Sequence, residues 1–327
     1  MYLYEDIDKM NTLAGQVNRI GKVVFGICIG GILLIFIAVA GLLAVTGSPD
    51  SPVLLYLIVL YFAAVGVCLV FFVPQAKTKE QEIKKIYKET FLNGVFKEFF
   101  ENVDYQWDKG FDKETIKQAD LFTPKEGYHT EDYLSATYKG VSFRHADVSW
   151  ETHSSDTVTH FNYRLLCFDF PLKQVSSVKI IPKFDQALET SPKVFIDGAG
   201  LEPLKLENIA FNKIFLVGAK NPEEAFYILT PQMMEYILKL WNKYGGYPEE
   251  NWASLERDTY QRIVFHFKKD KLYVGISGAD SFDPGSFKRM DYPTEKARIR
   301  KDIQVIIDII EMLNMIKEDT ETIPEGR

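Results

Sequence analysis

Two apolar runs dominate the pattern of hydrophobic and polar positions. Residues 23–45 and 53–73 contain no Asp, Glu, Lys, Arg or His, and each reaches the roughly 20 residues a helix needs to cross a hydrocarbon core. Between them, Thr46-Gly47-Ser48-Pro49-Asp50-Ser51-Pro52 has the chemistry of a turn, because its prolines and glycine cannot continue a helix. Only a helix satisfies its own backbone polar groups in lipid, so the pattern predicts a two-helix transmembrane hairpin over 23–73. A cleaved signal peptide is set aside: the leader is long and acidic, and the apolar run is too long for a signal core.

Before the hairpin, residues 1–22 form an amphipathic lead-in, with Ile7, Met10, Leu13, Val17 and Ile20 at helical spacing. It reads equally as a segment lying on a membrane surface and as an extension of the first helix. After Pro74 a juxtamembrane amphipathic helix is expected over 74–106, its stripe running through Ile83, Tyr87, Phe91, Phe96 and Val103. Residues 107–317 read as a cytoplasmic α+β domain, and 318–327 as a flexible tail. Within that domain Asp112 is a helix N-cap, and 133–138 and 141–145 form a hairpin around Lys139-Gly140. Further strands are expected at 161–170, 175–181, 193–196, 214–217 and 225–229. Thr230-Pro231 starts a helix that stops near Gly245-Gly246. Strands 263–267 and 272–276 form another hairpin, and a last helix begins near Thr294. Hairpins with few βαβ units predict a largely antiparallel sheet with flanking helices, of α+β class.

Charge sharpens the topology. Lys9, Arg19 and Lys22 precede the first run, and Lys77, Lys79, Lys84, Lys85 and Lys88 follow the second, while the connector has none. The positive-inside rule then puts both termini in the cytoplasm of a multi-pass protein. Residues 75–327 hold 35 of the 38 basic and 41 of the 45 acidic side chains. A domain of that balance repels a phosphate backbone, so no nucleic-acid partner is expected. Cys28 and Cys68 lie in the apolar runs and Cys167 alone elsewhere, which fits a reducing compartment.

In the spans, Gly26 and Gly30 form a GxxxG. Packing of the two spans against each other is the preferred reading, with a homo-oligomer seam as the alternative. The absence of an ionisable residue in either run argues against transport by this hairpin alone.

Chemistry is sparse. His145, Asp147, Glu151, His153, Asp156 and His160 make one polar constellation, with His145 and Asp147 on one strand face. His145, Asp147, His153 and His160 are the candidate metal ligands, although their spacing matches no familiar site and the preferred reading is a solvated hairpin and loop. No HExxH, GxSxG or GxxxxGK[ST] is present, so no catalytic residue is assigned and no cofactor is expected.

Phe211-Asn212-Lys213-Ile214-Phe215-Leu216-Val217, Glu224-Ala225-Phe226-Tyr227-Ile228-Leu229-Thr230-Pro231 and Ser281-Phe282-Asp283-Pro284, together with Glu131-Asp132-Tyr133, resemble a bacterial family catalogued as domain of unknown function three-one-three-seven. The resemblance extends over most of the chain beyond Gln75, with Phe226 standing where that family often carries Arg. It implies two spans, a cytoplasmic region and a place in the bacterial inner membrane, and supplies no catalytic residue. The resulting expectation is a membrane-anchored module that binds a protein or peptide, in contact with the lipid bilayer. A membrane-tethered enzyme and an accessory subunit of a membrane complex are the alternatives.

Overall fold

The computed structural model describes residues 2–46, 52–122, 127–153, 158–169, 175–183, 196, 199–244, 262–278, 282–284 and 289–321. The connector after Thr46, the strand expected at 193–195, Gly198, Gly245-Gly246, Asp156 and Ser281 lie outside them. The chain divides into two compact units, Met1–Leu92 with Asp283–Glu295, and Asn93–Phe282 with Lys296–Arg327.

The first unit is helical. The lead-in is not a separate element: α1 runs unbroken over Tyr2–Thr46. α2 (Pro52–Lys85) contains Pro74 without ending there. Tyr61 Oη donates to the Cys28 carbonyl at 2.8 Å and Lys79 bonds Gln16, so the two helices run antiparallel. Their polar ends share a core of Ile7, Met10, Leu13, Ala14, Ile83, Tyr87 and Phe91. This explains the helical spacing of the lead-in's apolar residues. α2 then widens into a π-helix, Ile86–Leu92, which buries Lys88 fully. A buried ammonium needs a partner, and Asp283 Oδ1 supplies one at 2.7 Å. The returning segment is fastened by a reciprocal pair: Asn11 Nδ2 donates to the Met290 carbonyl, and Met290 N–H donates to Asn11 Oδ1.

The close approach of α1 to α2 falls at Gly31, where a Cβ would stand 2.1 Å from the Tyr61 ring. Gly26 and Gly30 have nothing within 4 Å of that position. The contact expected of the GxxxG thus belongs to its neighbour.

Among the described residues the second unit holds a nine-stranded antiparallel sheet in the order β1-β2-β3-β4-β9-β8-β5-β7-β6. Its strands are β1 (Glu101–Gln106), β2 (His129–Tyr138), β3 (Val141–His153), β4 (Val158–Asp169), β5 (Val175–Pro182), β6 (Glu202–Leu204), β7 (Phe215–Ala219), β8 (Ile263–Lys269) and β9 (Lys271–Ser277). Its helices are α3 (Asn93–Phe99), α4 (Lys113–Ala119), α5 (Ile209–Ile214), α6 (Pro222–Ile228), α7 (Pro231–Tyr244) and α8, which covers Tyr292–Glu321 and enters this unit at Lys296.

Three expectations need correction. The helix expected to reach residue 106 ends at Phe99, and β1 follows, pairing Asp104 with Ser135 and Tyr105 with Leu134. The segment 225–228 is helical and Leu229 is its C-cap, because Asn221 caps the Glu223 N–H, Pro222 occupies the first turn, and Glu223 and Glu224 favour its positive end. The last helix also continues into the tail, to Glu321.

Strand alternation sorts side chains onto two buried faces. Ala146, Val148, Trp150, Tyr163, Leu165, Cys167, Ile181, Val264 and Tyr273 pack with Ile116, Ala119, Leu121 and Phe122 of α4 and the chain after it. Trp150 stacks between Phe161 and Tyr163 at ring distances of 5.1 and 5.4 Å. The opposite face carries Phe143, Leu166, Phe168, Val274, Phe265 and Ile180, and Ile303, Ile306, Ile310 and Leu313 of α8 are buried with it.

Candidate functional site

A polar cluster lies within the apolar face beneath α8. Its origin is a register shift in β2 between Glu131 and Leu134, where Asp132 adopts φ +58° and turns into the interior. Tyr105 Oη donates to Asp132 Oδ1 at 2.6 Å, and the Asp132 carbonyl lies 3.2 Å from His145 Nδ1. A carbonyl only accepts, so this contact places the imidazole proton on Nδ1. Asp147, two residues along β3, brings Oδ1 to 3.5 Å from His145 Nε2. Arg164 of β4 is its direct cross-strand partner and donates from Nη2 to the Asp302 carbonyl of α8 at 2.9 Å. The Phe282 ring, held at φ +61°, faces both His145 (5.1 Å) and the Arg164 guanidinium (5.5 Å).

Burial, reinforced by the positive field of Arg164, holds the His145 pKa down to about 3. The ring is therefore neutral at physiological pH. Arg164 is also pushed down by burial, with Asp147, Asp302 and Asp132 opposing. These contacts tie β1, β2, β3, β4 and α8 together around one guanidinium.

A second cluster occupies the other face. Cross-strand pairing aligns Arg144, Cys167, Tyr273, His266 and Lys179 across five strands. His266 Nδ1 lies 2.7 Å from the Ala119 carbonyl, and Ser177 Oγ lies 2.8 Å from Nε2. With the proton on Nδ1, Ser177 is the donor at Nε2. Lys268 Nζ reaches the Gln118 carbonyl at 3.2 Å and Lys179 Nζ pairs with Asp120 at 2.6 Å. His266 and Lys268 thus satisfy two carbonyls at the C-terminal end of α4 that lack helical partners, while Lys179 holds the carboxylate of Asp120, the C-cap residue. Ser177 and His266 have the spacing of a nucleophile and its base. However, His266 is fully buried and Ser177 nearly so, so the hydroxyl serves the ring rather than a substrate. Burial lowers the His266 pKa as well.

The expected histidine constellation is split by this geometry. His145 and Asp147 are inside the sheet rather than solvated, because their alternation points them at α8. His153, eight residues further and about 27 Å along an extended strand, is exposed. There the Glu151 carboxylate lies 3.0 Å from His160 Nδ1 and 3.7 Å from His153 Nε2. Among the described residues no three His, Cys, Asp or Glu side chains converge as a metal site. Sequence reasoning missed Arg164, Asp132 and His266. The available signal was His266 itself, a polar residue in Ile263–Lys269, whose neighbours are apolar on both faces.

With the geometry in place, comparison with known proteins adds one finding. Residues 159–315 match the model of a family described as Protein of unknown function (DUF3137). The resemblance read from the sequence holds over that segment, from the start of β4 into α8, which is narrower than expected. Glu131-Asp132-Tyr133 and both apolar helices fall outside it. Neither the curated proteins nor the solved structures yield a match to this chain.

Proposed function

We propose that this chain is a membrane-anchored protein of the bacterial inner membrane. In this reading α1 and α2 span the bilayer over 23–45 and 53–73, both termini are cytoplasmic, and the sheet unit binds a protein or peptide partner. The carrying observation is the outward face of the apolar runs: Leu34 and Phe36 are 69% exposed, Leu60 70% and Val70 76%. Leaving such side chains in water forfeits about 1.5–3 kcal/mol each, and lipid removes that cost. Reporter fusions within the connector at Asp50 and after Arg327 test the topology. The C-terminal fusion should be active as a cytoplasmic reporter; a periplasmic signal there would reverse the orientation.

The binding role is supported by Phe226 and Tyr227 of α6, each 54% exposed, since exposed aromatic pairs are the residues that interfaces use as anchors. Pull-down with the full chain in mild detergent, beside a Phe226→Ala, Tyr227→Ala variant, decides it. A partner retained equally by both removes this face from the proposal.

One further observation favours a homo-oligomer. The open positions at Gly26 and Gly30 leave a small-residue seam unused within the hairpin. Sedimentation in detergent should show an assembly larger than one chain, dissociated by Gly26→Leu with Gly30→Leu.

A further inference from the structure

The inward side of the second helix changes character where α2 gives way to the π-turn. Ile83 is buried alone in its turn, whereas Tyr87 with Lys88 and Phe91 with Leu92 are buried as neighbouring pairs. A continuous α-helix does not produce this pattern. Four residues advance its inward stripe by about 40°, and five carry a side chain round to about 140°. Counted from Ile83 in that register, Lys88 stands on the outer side. The π-turn Ile86–Leu92 bonds across five residues, rotates each one less, and keeps both columns inside. The register of this turn therefore decides whether the Lys88 ammonium lies in the interior or in water.

What the turn holds is the segment that returns to this unit, of which Asp283-Pro284 and residues 289–295 are described. Lys88 Nζ lies 2.7 Å from Asp283 Oδ1, and Tyr87 Oη donates to Glu295 Oε2 at 3.3 Å. Asp283 and Glu295 are the first and last residues of the returning segment, and the chain leaves the unit after Leu92, where the π-turn ends. Between the two ends, the Tyr292 ring meets Phe91 at 6.1 Å and Tyr4 of α1 at 4.8 Å. Asn11 of α1 holds Met290 through its reciprocal pair. Adjacent residues of one turn thus fasten both ends, while α1 fastens the middle. The Asp283 side chain is 37% exposed and also has Lys84 at 3.5 Å, so it keeps a partner and water when Lys88 withdraws.

We propose that the π-turn is a latch for the returning segment. In the π register Tyr87 and Lys88 hold Glu295 and Asp283, and the segment is closed on the helical unit. In the α register Lys88 swings to solvent and the ends are released. The two registers are discrete, because a turn between them leaves backbone groups without partners. An ion pair taken out of water gains little net energy, which keeps the open register within reach of the closed one. The segment follows β9 and includes the first turn of α8, so the latch sets whether the chain at those two points is tied to the helical unit. None of this depends on the spanning reading.

Hydrogen exchange of the full chain in mild detergent tests this, read over residues 289–295, where Asn11 holds the Met290 N–H. Thr90 is exposed, and its deletion removes the residue that an α-helix cannot accommodate. An unbroken α-helix then keeps Tyr87, Phe91 and Val95 within about 40° of Ile83 and leaves Lys88 at about 140°. Exchange over 289–295 should rise roughly a hundred-fold, the low end of what an unmatched buried charge costs, with β3 and β4 unchanged. Lys88→Glu sets a carboxylate against Asp283 and should open the segment to the same extent, whereas Lys88→Met should leave it closed. In the chain lacking Thr90, Lys88 already lies outside, so adding Lys88→Glu should change nothing further. Unchanged exchange on deleting Thr90, or effects of the two changes that add, overturns the latch. Where the deletion also exposes β3 and β4, the comparison of Lys88→Glu with Lys88→Met decides, and equal protection in the two overturns it.

Discussion

The apolar halves of α1 and α2 and the sheet unit solve opposite problems with the same side chains. In the sheet unit Phe143, Phe168, Phe265 and Phe267 are shut away from solvent, while in the helices Phe25, Phe36, Phe62 and Phe71 face outward. Polar groups follow the reverse pattern. The sheet buries Asp132, His145, Lys179 and His266 among partners, whereas the two apolar runs contain no ionisable residue of those kinds. One rule governs both regions: apolar surface leaves water, and polar groups keep a partner. Under the proposed spanning reading, a bilayer around the helices would let one chain obey that rule in two solvents. It also accounts for where the helices do acquire a core, at Ile7, Met10, Ile83 and Phe91 beyond the apolar runs.

The comparison is broken most strongly by removing a phenylalanine that faces inward. Phe265→Ala should destabilise the sheet unit by about 3–5 kcal/mol, through lost transfer energy and the cavity left behind. All four tryptophans, Trp107, Trp150, Trp241 and Trp252, belong to that part of the sequence, so a urea titration followed by tryptophan fluorescence reports it directly. Phe36→Asp asks the converse question. In water an exposed Phe→Asp change is harmless, but near the middle of a span it costs about 2.5–3.5 kcal/mol of insertion. Carbonate extraction should release a larger share of the variant chains from membranes; an unchanged share would mean that Phe36 faces water.

Next in size is the response of the buried sheet histidines to acid. His145 titrates near 3 when folded and near 6.5 when unfolded, and His266 is shifted the same way. The unfolded chain therefore binds more protons below pH 6.5. Their stabilising contribution is present above that pH and is lost as pH falls toward 3. Between pH 7 and pH 5 this is about 2 kcal/mol for His145. Asp308 and Glu224, held low by their hydrogen bonds despite some burial, stabilise the fold above about pH 4, and that contribution is lost only as pH falls further. Urea midpoints at both pH values should converge in a His145→Gln variant by about that amount.

How legible each region was follows from how local its determinants are. The apolar runs, the Asp112 cap of α4, the β8–β9 hairpin and the turn at Lys139-Gly140 depend on adjacent residues, and the structure has them. Misreadings arose where a local signal competed with another. Ala225-Phe226-Tyr227-Ile228-Leu229 is apolar enough for a strand, but Asn221-Pro222 had already started a helix. Val103 and Tyr105 fit a helical stripe as well as they fit β1, and pairing with β2 decides between them. The buried clusters were the least legible. Arg164 meets Asp302 across 138 positions, and His266 meets Ala119 across 147. No spacing rule reaches that far, and the His145 constellation drew attention by sequence proximity that strand direction then undid.

The smallest effect tests the most local of these readings. Thr230 stands before Pro231, which opens α7, and its Oγ1 accepts the Met233 N–H at 3.2 Å. That N–H is one of the four at a helix start with no carbonyl of its own helix to meet. Alanine at 230 removes the acceptor and leaves Pro231 in place, so the helix still begins there but one donor must find water. The expected loss is about 1 kcal/mol. The same tryptophan titration measures it, since Trp241 lies on α7 and its ring packs edge-on against Phe215 at 5.3 Å. Thr230→Ser restores an acceptor of the same reach and should recover most of the midpoint, whereas Thr230→Val keeps the shape without the acceptor and should not. A midpoint that follows shape rather than hydroxyl would show that Thr230 acts by packing, and the N-cap reading would fall.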